Sequence, residues 1–331
     1  IIDFVGHKDS NMLPLIILEN IAKYLDDVQI WYIIDLMKTY HISYRNILLQ
    51  NLRRITQDQY IQMSDADKSQ IRFYQCQRLF SIERGTLPNS LVKLDIVDCI
   101  LNTPIEIGVL PITLKYLFFG IAYNQPIKKG VLPNSLEYLT FSGYFNQTFE
   151  IGVLPSGLKH LSMGPYYNQP FEIGVLPKSL KELYLNYHYQ IPIECGVLPD
   201  SLESLYFSGI CIYQTPFKKG VLPKFLKNLT LPVMYNNPIE SGIFPDSLEN
   251  LVFGDCFNQP IKIGVLPKTL KCLTLGHDYR QPIEFGALPV SLVYLKVKSS
   301  QKFCDSLVLP DWLVPKKDIS GVWIRRSGTL R

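Results

Sequence analysis

Catalysis by this chain would have to draw on its five His, its seven Cys and its carboxylates. Acid–base or nucleophilic chemistry needs a base set beside an activated group, and zinc needs Cys or His at close, repeated spacing. His7, His41 and His188 lie off the segments patterned as strands, His160 falls within one and His277 just after one. There is no C-x-x-C pair, and no G-x-G-x-x-G, P-loop, G-x-S-x-G or H-E-x-x-H motif. Cys99 and Cys256 fall where a packed core thiol is expected. No enzyme activity, cofactor or metal is expected. An odd Cys count also argues against a disulfide framework and for a reducing, intracellular and cytoplasmic setting.

The residues with chemistry to offer are aromatic, and their chemistry is binding. One row of equivalent positions reads Lys93, Tyr116, Tyr138, His160, Glu182, Ser204, Asn228, Asn250, Cys272 and Tyr294. The next reads Asp95, Phe118, Thr140, Ser162, Tyr184, Tyr206, Thr230, Val252, Thr274 and Lys296. If both rows face outward, Tyr116, Phe118, Tyr138 and His160 make one patch that Tyr184 and Tyr206 extend. Clustered exposed aromatics mark protein contacts, and an unidentified target protein is the expected occupant.

Positioning those rows requires a repeat, and the chain is built from one. A Gly-x-(Leu/Phe)-Pro anchor has its glycine at Gly85, Gly108, Gly130, Gly152, Gly174, Gly196, Gly220, Gly242, Gly264 and Gly286. The steps are 23, 22, 22, 22, 22, 24, 22, 22 and 22 residues. Each anchor leads into a pattern such as Pro133-x-Ser135-Leu136-x-x-Leu139-x-Phe141, whose last apolar residues alternate as on a half-buried strand. A second block follows, as in Tyr123-Asn124-Gln125-Pro126-Ile127. A Pro in each half of 22 residues leaves little room for a helix. One coil cannot bury its leucines alone, so neighbours must stack into a shared core. Charged positions repeat too: Lys115, Glu137, Lys159, Lys181, Glu203, Lys227, Glu249 and Lys271 should pair along the stack, as should a second row from Glu106 to Glu284.

The Leu-x-x-Leu-x-Leu spacing resembles a leucine-rich repeat. With the Phe/Tyr-Asn-x-Pro-Ile block, residues 85–298 resemble the FNIP repeat, a leucine-rich-repeat variant of social amoebae and large amoeba-infecting viruses. The resemblance implies a mainly β solenoid of parallel strands, ten repeats long. Thr148 departs from the block's proline, and Gln190, Gln214 and Arg280 from its Asn. A ladder of Asn side chains between coils should break at those three places.

Residues 1–84 lack the repeat and pattern as a small all-α domain. Pro14 opens a stripe of Ile17, Ile21, Tyr24 and Leu25, and Ser64-x-x-Asp67 matches a helix cap. Leu13-Pro14, Ile17-Leu18, Ile21 and Tyr24-Leu25 make residues 10–55 resemble an F-box, although Ile16 stands at a usually acidic position and the late Trp is absent. That resemblance implies docking to the Skp-type linker of a cullin ubiquitin ligase through Leu13, Pro14, Ile17, Leu18, Ile21 and Leu25. The chain would then be a substrate-recognition subunit. A free-standing scaffold whose helical head only caps the solenoid is the other reading. Residues 299–331 hold a degenerate copy, Leu309-Pro310-x-x-Leu313, expected to cap the stack with Trp312 and Trp323, and then a basic tail.

Charge agrees with a protein partner. Residues 1–84 carry 10 Lys/Arg against 10 Asp/Glu, residues 85–298 carry 17 against 16, and residues 299–331 carry 6 against 3, so +3 of the net +4 sits in the tail. A nucleic-acid binder would cluster its basic residues on one face. No run approaches the ~20 apolar residues of a membrane span, so neither nucleic acid nor membrane is an expected partner.

Overall fold

The computed structural model describes residues 62–75, 82–208, 211–316 and 321–325. Each coil of about 22 residues, called a rung below, contributes one short strand to a single 13-stranded sheet. Strand β1 spans Phe73–Gln75. The ten repeat strands are β2 (Lys93–Asp95), β3 (Tyr116–Phe119), β4 (Tyr138–Phe141), β5 (His160–Ser162) and β6 (Glu182–Leu185), then β7 (Ser204–Phe207), β8 (Asn228–Thr230), β9 (Asn250–Val252), β10 (Cys272–Leu275) and β11 (Tyr294–Val297). All are parallel and in register, so that Leu94, Leu117, Leu139, Leu161 and Leu183 form one line. Between Gly85 and Ser299 the described residues contain no helix.

The motif's residues each have a task. The anchor closes a turn in which the Val131 N–H donates to the Lys128 carbonyl at 3.2 Å. The ten anchor glycines all have φ between 80° and 88°, the left-handed region that a turn of this kind demands at its third residue. The proline then opens a second turn, Leu136 N–H to Pro133 carbonyl at 3.0 Å, which launches the strand. The Ser between them ties rungs together: Ser135 Oγ donates to the Leu114 carbonyl at 2.7 Å and Ser179 Oγ to Leu158 at 2.6 Å. Gly157 and Phe225 stand at this position in two rungs and cannot make that bond.

Inside, the strand leucines are fully buried and the block's aromatic stacks beside them. Tyr123, Phe145, Tyr167, Tyr189 and Tyr213 follow one another with ring centroids 6.2–6.3 Å apart. Burial holds the Tyr123 and Tyr213 phenols up at about 12.

The two ends depart from the expected boundaries. The sheet begins before Gly85: Phe73–Gln75 pairs in parallel with Lys93–Asp95, and Ile71 and Tyr74 are buried under the first repeat. Most of the all-α domain expected over residues 1–84 lies outside the described residues, and at Phe73 the chain is strand, where Ile71 and Tyr74 supply the apolar face that the first rung needs. Just before it, α1 (Asp65–Lys68) is capped as the sequence indicates, with the Asp67 N–H donating to Ser64 Oγ at 3.2 Å. At the other end, α2 (Gln301–Ser306) leads to β12 (Leu313–Pro315) and β13 (Val322–Arg325). The degenerate copy keeps its turn, Leu313 N–H to Pro310 carbonyl at 2.9 Å, and buries Leu313. It does not continue the parallel stack. Strand β13 inserts antiparallel between β11 and β12, and Trp312 and Trp323 pack against the core there.

Candidate functional site

The outward rows lie on the sheet face as the strand alternation requires, with buried and half-buried residues alternating along β3, β4 and β6. Five of the six aromatic candidates meet in one ribbon. Tyr116 stacks on Tyr138 at 4.8 Å, Tyr138 on His160 at 5.3 Å and Tyr184 on Tyr206 at 4.6 Å, while His160 meets Tyr184 at 5.0 Å with the two rings tilted by 38°. The ribbon changes rows between His160 and Tyr184, because Glu182 occupies the first row in β6. That Glu182 accepts from or pairs with His160 Nδ1 at 3.0 Å and lies 3.5 Å from the Tyr184 hydroxyl. Desolvation first, then the Glu182 charge, pushes the Tyr184 phenol up to about 12, so it remains a donor at neutral pH.

Phe118 stands apart from this ribbon. It shares a row with Thr140, Ser162 and Tyr184, two small residues separating the rings, and the Lys93 ammonium sits 4.9 Å over its face. A patch continuous from Tyr116 through Phe118 to Tyr138 is thus corrected to a ribbon with Phe118 at one side.

A second aromatic ladder went unread in the sequence. Tyr144 stacks on Tyr166 at 4.8 Å and Tyr166 on His188 at 4.9 Å, just past β4, β5 and β6. Tyr144 is 52% and Tyr166 45% exposed. Their shared offset of 22 residues was the available signal. It was overshadowed by the neighbouring block aromatic, which is core.

Beside the ribbon runs the charge ladder. Glu137 is held by Lys115 at 3.1 Å and Lys159 at 2.6 Å, and Glu203 by Lys181 at 2.7 Å and Lys227 at 2.8 Å. Hydrogen bonds from Lys181 and Lys227 bring the Glu203 carboxyl down to about 2. Lys271 pairs with Glu249 at 2.7 Å. In the second row, Lys218 reaches Glu194 at 3.3 Å.

The Asn ladder behaves in two ways. Asn Oδ1 accepts the backbone N–H of the next rung from Asn102 to Asn124, on to Asn146, Asn168 and Gln190, and again from Asn236 to Asn258 and Arg280. Gln190 and Arg280 still receive their bond. What substitution removes is the acceptor for the following rung. The Arg280 side chain instead turns to the His277 and Tyr279 carbonyls and lies 5.7 Å over Phe303 in the cap.

The proposed linker-binding residues Leu13, Pro14, Ile17, Leu18, Ile21 and Leu25 lie outside the described residues. Among the described residues, no group of three His, Cys, Asp or Glu is set to hold a metal ion, and no helix is long and apolar enough to cross a membrane. Cys99 and Cys211 are buried, whereas Cys256 is only half-buried, with its thiol 3.6 Å from the Met234 sulfur.

Comparison with curated proteins gives no match. Among solved structures, the chain is similar to the crystal structure of CroV588, described as a novel circular LRR protein structure, at 39% identity and a TM-score of 0.65. The similarity covers 69% of this chain and 33% of that one, so the chain spans about a third of that protein's length. The FNIP repeat model matches six times, at residues 80–121, 123–166, 167–209, 213–256, 235–278 and 257–300. Most matches span two rungs, each with anchor, strand and block in order. A repeat solenoid of this type is the architecture of an interaction scaffold. With these matches covering well over half its length, the chain belongs to the FNIP repeat family.

Proposed function

We propose that the chain is a protein-interaction adaptor that binds a target protein on the strand face through Tyr116, Phe118, Tyr138, His160, Tyr184 and Tyr206. One observation carries this reading. The outward aromatics crowd β3 to β7, whereas β8, β9 and β10 present Asn228, Asn250 and Cys272 in one row and Thr230, Val252 and Thr274 in the other. Those later rungs keep the same register and the same buried leucines. A ring ladder is therefore not required to hold rungs together, and its confinement to one half of the face favours a binding role. In-cell photocrosslinking tests it. Tyr116, Phe118 and Tyr138 changed together to Ser should lose the crosslinked partner at an unchanged melting temperature. Retained crosslinking would end the proposal.

The finer reading makes the chain the substrate-recognition subunit of a cullin-type ubiquitin ligase, acting in the cytoplasm. The Leu13-Pro14 opening and the apolar spacing through Leu25 support it, as does the position of that segment ahead of a solenoid. The alternative, a free-standing scaffold, is favoured by Phe73–Gln75, where the chain ahead of the repeats continues the sheet as a cap would. Titrating a purified Skp-type linker with the full chain separates the two. Heat that is lost on changing Leu13 and Pro14 to Ala supports the adaptor, and no heat leaves the scaffold.

A further inference from the structure

Away from the target-binding ribbon, the row that holds Tyr144, Tyr166 and His188 changes its chemistry further along the stack. Past Ile212 it continues as Met234, Cys256 and Asp278, one residue per rung. Backbone bonds keep these rungs in line, the Cys256 N–H donating to the Val233 carbonyl at 2.9 Å and the Asp278 N–H to the Asp255 carbonyl at 2.8 Å. Here the Cys256 thiol lies 3.6 Å from the Met234 sulfur. Both residues are half-buried and so reached by solvent, whereas Cys99, Cys211 and Cys304 are buried.

Two sulfurs in contact are soft donors, and a thiolate paired with a thioether suits copper(I). Structural zinc takes four ligands, and among the described residues no three His, Cys, Asp or Glu converge to supply them. His277 Nδ1 is engaged with Asp278 Oδ1 at 3.3 Å. Metal–thiolate bonds of ~2.3 Å reach both sulfurs from one point at their present separation, with a bent angle between the bonds. A linear arrangement needs the sulfurs ~4.6 Å apart, and the three rotatable bonds of Met234 open the gap by that ~1 Å. The Asp278 and Asp255 carboxylates near the thiol favour a cation there. Desolvation first, then those two charges, push the thiol up, so it keeps its proton until an ion takes its place.

We propose that Met234 and Cys256 form a two-sulfur site for copper(I). On binding, the Cys256 S–H bond breaks and its proton leaves to solvent. The resulting thiolate and the Met234 thioether each give a lone pair to the ion. The metal arrives and stays as copper(I), so no electron moves, and one positive charge replaces another. The ion joins consecutive rungs just past β8 and β9, on rungs that carry none of the aromatics of β3 to β7. It therefore acts as a clamp on the solenoid and not as part of the target site.

Copper(I) itself is the probe, offered to the full chain under a reductant and in competition with a colorimetric copper(I) chelator in enough excess to strip single thiols. The parent should retain one ion per chain, and X-ray absorption should show it bonded to two sulfurs. Met234→Leu should weaken retention at least about tenfold, the lower bound even for residues that merely support a metal ligand. This variant conserves side-chain volume, so lost retention reports the sulfur and not the fold. Cys256→Ser should abolish retention, while Cys195→Ser, at an exposed thiol, should leave it unchanged. Copper(I) should also raise the melting temperature of the parent and of Cys195→Ser but of neither site variant. The proposal is overturned if the chelator takes all the copper(I) from the parent, or if Met234→Leu retains it as the parent does. Loss in Cys195→Ser, or a single sulfur in the absorption spectrum, overturns it too.

Discussion

Single residues in this chain show which polar groups the stack needs. The Tyr167 and Tyr279 hydroxyls are buried without a hydrogen-bond partner, and Phe145 and Phe257 occupy the same position in other rungs. An unpartnered buried hydroxyl is a cost that Phe avoids. Tyr167→Phe should therefore leave stability unchanged or raise it by up to ~1 kcal/mol in urea unfolding, and a loss beyond that would reveal a missed bond. Glu203 is the opposite case. Its carboxyl is depressed to about 2 by Lys181 and Lys227, so its stabilisation is present above the unfolded-state value near ~4.3 and fades as pH falls toward the folded value. Because these groups are exposed, solvent screening keeps the contribution of each pair small. Glu203→Gln should lower the midpoint of unfolding at pH 7, and the gap to the parent should narrow as pH falls from ~4.3 toward about 2. A gap that did not narrow over that range would mean the charge is not its source.

At the scale of the rung, the anchor glycine and the strand leucine fail differently when changed. Gly174 has φ of 87° and open space where a Cβ would project, the nearest atom being the Ile151 methyl at 4.0 Å. Gly174→Ala should then cost only the backbone strain, ~1–2 kcal/mol, with no change of register. Gly276 differs, since a Cβ there would collide with the Gly254 carbonyl oxygen, and Gly276→Ala should cost more. Paired melting curves decide the order. Leu183 is wholly buried between Leu161 and Leu205, and Leu183→Asp places a charge in that line. Hydrogen exchange should rise first in β5, β6 and β7. Equal acceleration across every rung would show that the solenoid unfolds as one unit rather than through neighbours.

Among the described residues the molecule is a parallel stack whose C-terminal end is closed by one reversed strand, β13. Pairing of β13 with both β11 and β12 ends the parallel series with a strand that runs the other way. Arg325 fastens this cap, its side chain donating to the Val290 carbonyl at 2.6 Å and lying 5.7 Å over Trp312. Truncation after residue 316 removes β13 and should expose β11. The expected outcome is self-association on sedimentation, as an unprotected sheet edge recruits another. A truncated chain that stays monomeric with unchanged melting would show that β13 is dispensable.

By itself the sequence determined whatever recurs. Ten glycines at steps of 22 to 24 residues require one turn ten times, and alternating leucines require one buried face, so the solenoid, the parallel register and the charge pairs were all legible. Tertiary structure decided whatever depends on a neighbour in the next rung or at an end. A row of equivalent positions groups Phe118 with the other aromatics and cannot show that Thr140 and Ser162 leave it alone. The Tyr144–Tyr166–His188 ladder was missed because a pattern assigns one aromatic per block to the core and says nothing of how a flanking ring turns. The early start at Phe73 and the reversal at Val322 lie where the repeat has ended. There, each strand direction follows from which apolar surface remains uncovered, and that surface exists only once the stack has formed.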